Sequence, residues 1–64
     1  MNGELLLEVM ADKGISISAM CKELGIGRKA FWAKRKGISE FKQSEIVKII
    51  SLVGQENGNA IFFG

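Results

Sequence analysis

Glycine placement constrains this chain more than any other feature of its sequence. The 64 residues contain eight glycines and no proline, and the glycines separate short segments in which apolar residues recur at helical spacing. Such punctuation predicts four or five short helices. We therefore expect an all-α fold, a small four- or five-helix bundle in which residues 1–64 form one domain. At this size the chain buries only about 60% of its unfolded surface, so the core will be thin.

Three segments each carry one apolar face. Their inward residues share helical spacing and are Leu5, Leu6, Val9 and Met10 in 4–13, Ile17, Met20, Cys21 and Leu24 in 17–24, and Ile46, Val47, Ile49, Ile50 and Val53 in 43–53. A fourth segment, 28–36, is basic. The predicted stops are Gly14, Gly25, Gly37 and Gly54.

The last ten residues are harder to interpret. They begin with a polar run, 56–59, that we expect to be flexible, and they end in the apolar residues 60–63, which must be buried somewhere. Phe62 and Phe63 either fold back to close the monomer or form a seam between two copies across a two-fold axis.

Positive charge is concentrated in one place. The net charge is only +2, but five of the nine basic residues lie within 28–36, and no acidic residue occurs between Glu23 and Glu40. By itself a basic run of this kind is usually a solvated helix face, and only its position after the short turn at residues 25–27 favours attraction to nucleic-acid phosphates.

Several functional classes are not expected. With no histidine, no tyrosine and one cysteine, Cys21, the chain offers neither an internal disulfide nor an ordinary zinc site. We expect Cys21 to be a small packing residue, and we expect no enzyme activity, no cofactor, no metal and no small-molecule ligand. No apolar run reaches the length of a membrane span, so the expected location is a reducing cytoplasm.

The join between segments 17–24 and 28–36 carries the functional prediction. Only Gly25, Ile26 and Gly27 separate them, and so short a turn forces the second helix to cross the first steeply, as in a helix-turn-helix. The supporting pattern is a capping Ser16, apolar Met20 and Leu24, small Cys21, Gly25 and Ile26 in the turn, and apolar Phe31.

Over residues 15–53 this pattern resembles the lambda-repressor-like, or Cro/C1-type, helix-turn-helix proteins, which include XRE-like regulators. The stretches 39–41 and 44–46 and the terminal Ile-Phe-Phe are similar to small phage-type members. The resemblance implies a sequence-specific double-stranded DNA-binding transcriptional regulator, typical of a phage or mobile-element repressor in a bacterial cell or phage-infected host. It also implies a homodimer on a near-palindromic operator, leaving open whether the dimer forms only on DNA.

The resemblance also assigns site residues. Those implied to read bases in the major groove are Arg28, Lys29, Trp32 and Lys36. Those implied to hold phosphates are Ser16, Ser18, the amide of Gly27, Lys34, Arg35 and Lys42. Trp32 has an alternative place in the core, against segment 43–53.

Three departures from the family pattern are visible. Ile17 replaces a glutamine that helps to hold a phosphate, Lys34 and Arg35 replace a branched apolar anchor, and Lys42 replaces a serine or threonine cap. The lysine stem can still cover apolar surface while its ammonium group reaches water or phosphate. A protein-interaction module or antitoxin-like partner protein, binding through Trp32 and the aromatic tail, remains the alternative function.

Overall fold

The structure is a computed structural model that describes residues 1–64, and its fold consists of five α-helices. They are α1 (Gly3–Lys13), α2 (Ile17–Leu24), α3 (Arg28–Arg35), α4 (Gln43–Val53) and α5 (Gln55–Phe62). No strand is present. The all-α helical bundle predicted from the glycine punctuation is therefore confirmed, with five helices.

The helix ends follow local rules. Asn2 Oδ1 accepts the Leu5 N–H at 3.0 Å and caps α1, while Ser16 Oγ accepts the Ala19 N–H at 3.0 Å and caps α2, as predicted. The four predicted stop glycines all adopt positive φ, and they are Gly14, Gly25, Gly37 and Gly54. At Gly25, with φ 69°, the left-handed conformation turns the chain sharply from α2 toward α3.

One small core holds the five helices together. Its buried apolar residues are Leu6, Val9, Met10, Met20, Cys21, Phe31, Ile49, Val53 and Ile61. The predicted inward faces of α1 and α4 largely meet there, and the prediction that Cys21 is a small buried packing residue is confirmed. Ile17, in contrast, stays partly exposed at the first turn of α2.

The prediction that Val47 faces inward is wrong, because its side chain is 60% exposed. Side chains advance by about 100° per residue along a helix. The buried Ile49 and Val53 define the inner face of α4, and Val47 points away from it. A run of β-branched residues in the sequence thus extends beyond the face that the fold covers.

The prediction that residues 56–59 form a flexible run is also wrong, because these residues lie inside α5. Gly58 is buried, and a Cβ at this position would come within 2.5 Å of Ile50 Cγ1. Gly58 therefore serves close approach of α5 to α4 rather than flexibility. Packing against α4 stabilises a segment whose local sequence favours a turn.

The two aromatic residues of the tail differ in position, because one packs against the fold and the other lies at the surface. Ile61 is buried, and the Phe62 ring packs edge-on against Phe41 with centroids 5.8 Å apart. Phe63 remains 74% exposed. Of the two alternatives for these rings, folding back is therefore correct for Phe62.

The start of α1 lies directly against the end of α3. A Cβ on Gly3 would lie 2.4 Å from the Arg35 carbonyl oxygen, so only glycine permits this contact without a shift. The Asn2 N–H also donates to the Ile61 carbonyl at 2.7 Å. These contacts join the start of α1 to the last turn of α3 and to the end of α5.

Candidate nucleic-acid interface

Phe31 anchors α3 and determines which of its faces points outward. Its side chain is fully buried, and Ile26 in the preceding turn packs against the same core. At about 100° per residue, Lys29, Ala33 and Lys36 lie on the side of α3 opposite Phe31, with Trp32 along one edge. This outer face carries two cations around one small residue.

The first turn of α3 lies beside the start of α2. The Arg28 Nη2 group donates a hydrogen bond to Ser18 Oγ. Gly27 caps α3 without a side chain, so no side-chain acceptor covers the first backbone N–H groups. Ser16 and Gly27, at the two helix starts, are both exposed. The structure thus brings together the predicted residues at the amino ends of α2 and α3.

The arrangement at these two helix starts suits an anion. Backbone N–H groups and the helix dipole give the amino end of a helix partial positive charge. Arg28 and Lys29 add two full charges there, and neither forms an ion pair. Hydroxyls of Ser16 and Ser18 can still donate, because each accepts a hydrogen bond through a lone pair.

Lys34 lies elsewhere than predicted, and we withdraw it from the phosphate-binding residues. Its Nζ is 2.7 Å from Glu45 Oε1, with side chains only 11% and 7% exposed. The same Nζ donates to the Glu40 carbonyl at 3.2 Å. The lysine stem covers apolar surface as expected, but the ammonium group binds the first turn of α4 instead of reaching a phosphate.

Glu45 receives hydrogen bonds from two sides. Besides Lys34, the Lys42 backbone N–H donates to Glu45 Oε1 at 2.8 Å. Burial alone would raise the pKa of Glu45, but the hydrogen bonds from Lys34 and Lys42, with the charges of both residues, lower it below its ordinary value of 4.5. The carboxylate is therefore ionised at neutral pH and holds α3 against α4.

Arg35 also turns inward. Its guanidinium lies over the Phe31 ring, 4.9 Å from the centroid, because residues four apart share a helix face. The side chain is half-buried, and its Nε has no hydrogen-bond partner. Arg35 thus helps to pack α3, and it contributes less to the outer face than a freely extended arginine would.

Trp32 is 47% exposed and is absent from the core, so the alternative of core packing is wrong. Lys36 and Lys42 are both exposed and unpaired. Lys42 begins α4 in place of a hydroxyl cap, and the Glu45 carboxylate satisfies its backbone N–H. The Lys42 ammonium group is exposed and forms no ion pair.

Two contributors to this site escaped the sequence prediction. Ala33 was overlooked because an alanine offers no donor or charge, although its position opposite Phe31 places it in the middle of the outer face. Glu45 was overlooked because a carboxylate in a first turn is usually a solvated dipole partner. A lysine at the usual apolar anchor position was the available signal, since a buried cation requires a nearby anion.

Comparisons with known proteins do not identify a relative. Neither a protein-family model, a curated protein nor a solved structure matches this chain. None of the five helices has both the length and the apolar character needed to cross a membrane.

Proposed function

We propose that this protein is a sequence-specific double-stranded DNA-binding regulator, in which α2 and α3 form a helix-turn-helix and α3 enters the major groove. The observation that carries the proposal is the state of three cations, two in the first turn of α3 and one, Lys36, directly after its last residue. Arg28, Lys29 and Lys36 are exposed, form no ion pair and have no acidic neighbour on their helix. Unpaired cations on one exposed helix suit a polyanion.

The dimensions of α3 are compatible with this role. An α-helix with its side chains is about 10–12 Å in diameter, and the major groove is about 12 Å wide, so α3 can lie in the groove. Ala33, flanked by Lys29 and Lys36, permits close approach of the helix backbone to base edges. Arg28 and Lys29 are the proposed guanine readers through O6 and N7, while Trp32 at the edge of the face contacts a thymine methyl or the sugar-phosphate backbone.

Phosphate contacts come from residues around this helix. Ser16, Ser18 and the Gly27 amide supply donors at the helix starts, and Lys42 supplies a free ammonium at the start of α4. By its resemblance to lambda-repressor-like proteins, we propose a phage or mobile-element repressor. It acts as a homodimer that places two α3 helices in successive major grooves, about 34 Å apart, on a near-palindrome.

One observation favours a second function. Trp32 exposes a large ring on α3, and exposed tryptophan is enriched in protein interfaces. A protein-binding module or antitoxin-like protein would use this ring together with the aromatic tail. Against it, the adjacent unpaired cations are unlike the centre of a typical protein interface, from which charged residues are depleted.

Selection from a random duplex library tests the proposal. We expect a palindromic winner that binds at least about a thousandfold tighter than a scrambled duplex in anisotropy titrations at two salt concentrations. Lys29→Ala should reduce affinity, whereas Lys13→Ala, which removes the same charge from the exposed end of α1, should change it far less. Absence of enrichment, with weak binding abolished by salt, would favour the protein-binding alternative.

A further inference from the structure

The Lys34 ammonium group ties the last turn of α3 to two other parts of the chain. Its Nζ donates to Glu45 Oε1 in α4 at 2.7 Å and to the Glu40 carbonyl oxygen in the α3–α4 loop at 3.2 Å. It also lies 5.9 Å from the centroid of the Phe41 ring. Two of the three ammonium N–H groups thus have oxygen acceptors, and these acceptors determine the direction in which the side chain points.

The acceptor oxygen in α4 also contacts a residue of the candidate nucleic-acid interface. Glu45 Oε1 accepts the Lys42 backbone N–H at 2.8 Å in addition to the Lys34 ammonium group. Lys42 is a proposed phosphate contact, and Lys34 lies on the helix that carries the proposed base readers. A single carboxylate oxygen therefore joins two parts of the interface that must contact DNA at a fixed distance from each other.

This polar contact restrains the direction of α3 more than apolar packing does. Among the helices, α3 packs lengthwise only along α2, and Lys34–Glu45 is the only hydrogen bond or ion pair between α3 and α4. Packing angles between helices scatter by about 15–20°. A tilt of about 15° would move the first turn of so short a helix by about 3 Å relative to its last turn, whereas a hydrogen bond tolerates changes of only about 0.5 Å.

We propose that Lys34 and Glu45 are positioning residues for DNA recognition. Their contact sets the orientation of α3 relative to α4, and thereby the distance from the base readers Arg28 and Lys29 to the Lys42 ammonium group. Neither positioning side chain touches DNA. The proposal rests on the proposed function and identifies residues that determine its specificity from inside the fold.

Two replacements separate positioning from stability. Lys34→Met/Glu45→Leu keeps the volume and burial of the pair but removes its directional hydrogen bonds, so stability should be retained and base discrimination lost. Glu45→Gln removes the negative charge but keeps an acceptor oxygen for both donors, so stability should fall and discrimination should be retained. A pair that acts only through stability predicts the opposite order of discrimination.

Residual dipolar couplings of backbone amides test the orientation without DNA. The wild type and Glu45→Gln should each fit one α3–α4 orientation. In Lys34→Met/Glu45→Leu, the couplings of α3 should indicate a rotated or averaged helix, while those of α1, α2 and α5 remain unchanged. Wild-type α3 couplings in this folded double variant would overturn the proposal.

Anisotropy titrations of the selected and scrambled duplexes test the effect on recognition. For Lys34→Met/Glu45→Leu, the ratio of the two affinities should fall about tenfold or more, as expected for the loss of about one base contact, with little change on the scrambled duplex. Lys48→Met/Glu23→Leu is the matched control. It removes an exposed ion pair between α4 and α2 and should keep the wild-type ratio.

The outcomes distinguish this proposal from the proposed function. A wild type that selects a duplex, together with an unchanged ratio in the apolar double variant, would overturn the positioning role and leave DNA recognition intact. Should that double variant not fold, Glu45→Gln decides, because relaxed discrimination in a folded Glu45→Gln also contradicts the positioning role. A wild type without any preferred duplex would contradict the proposed function itself, and the positioning role in recognition would fail with it.

Discussion

The two halves of α3 have the same charge but different surroundings. In the first turn, Arg28 and Lys29 are exposed, and the only partner of Arg28 is the Ser18 hydroxyl. In the last turn, Lys34 is buried in an ion pair with Glu45, and Arg35 lies over Phe31. One basic run therefore has two kinds of surroundings, because the charged side chains of its first turn are exposed, whereas those of its last turn pack against the bundle.

The largest expected effect is on stability and concerns the last turn of α3. Glu45→Ala should lower the free energy of unfolding by about 1–3 kcal/mol, because it leaves the Lys34 ammonium group without its counter-ion and the Lys42 backbone N–H without its acceptor. Urea denaturation followed by circular dichroism measures the change. The double variant Lys34→Met/Glu45→Leu should recover most of the loss, since apolar residues of similar size often replace a buried pair without cost.

The pair Lys48–Glu23 provides a matched control. It is also an ion pair between helices, but both side chains are 47% exposed and the distance is 3.3 Å. Glu23→Ala should cost less than about 1 kcal/mol. Equal losses for Glu23→Ala and Glu45→Ala would contradict the assignment of Lys34 to the interior.

The next largest effect is on DNA binding and concerns the first turn of α3. Arg28→Ala should weaken binding to the selected duplex by about 1–3 kcal/mol and relax the base preference at one position of each half-site. Repeating the library selection with the variant measures this relaxation. Equal losses on selected and random DNA would remove Arg28 from base reading and leave it as a phosphate contact.

A smaller effect concerns the salt dependence of DNA affinity, which should depend on where along α3 a charge is removed. Lys29→Met should reduce the slope of log affinity against log salt by about one, because one phosphate or base contact is lost. Lys34→Met removes the same charge but should leave the slope unchanged, because its ammonium is already neutralised by Glu45. A reduced slope for Lys34→Met would mean that DNA opens the ion pair.

Lys42 is expected to contribute to DNA affinity without regard to base sequence. Lys42→Ala should weaken binding to selected and random duplexes to the same extent, because its free ammonium is placed to contact phosphate and carries no base information. Anisotropy titrations of both duplexes measure the two losses. A loss confined to the selected duplex would place Lys42 among the base-reading residues.

The smallest effect is a pH dependence of stability. The pKa of Glu45 in the fold lies below its ordinary value of 4.5, so the folded state favours the ionised form. Its contribution is present above that value and is lost as the pH falls through the lower folded pKa. Compared with Glu45→Gln, the wild type should lose its stability advantage on acidification. An advantage that persists at low pH would show that ionisation of Glu45 is not its source.

Much of the fold follows from local sequence. The stop glycines, the Ser16 cap and the apolar spacing within α1 and α4 identified four helices, because these signals act within one turn of the chain. The α5 helix was missed for the opposite reason. Its polar residues and Gly58 favour a turn locally, and only packing against Ile50 makes a helix favourable there.

The candidate site likewise has some features that local sequence predicts and others that depend on tertiary packing. The sequence alone located the basic cluster and the short turn before it, since charge and glycine spacing are properties of neighbouring residues. Only the tertiary structure decided that Lys34 and Arg35 pack inward, that Trp32 stays at the surface and that Ala33 occupies the outer face. Those outcomes depend on Phe31 and Glu45, because the contact of α3 with other helices determines its rotation, and charge along the chain carries no record of that rotation.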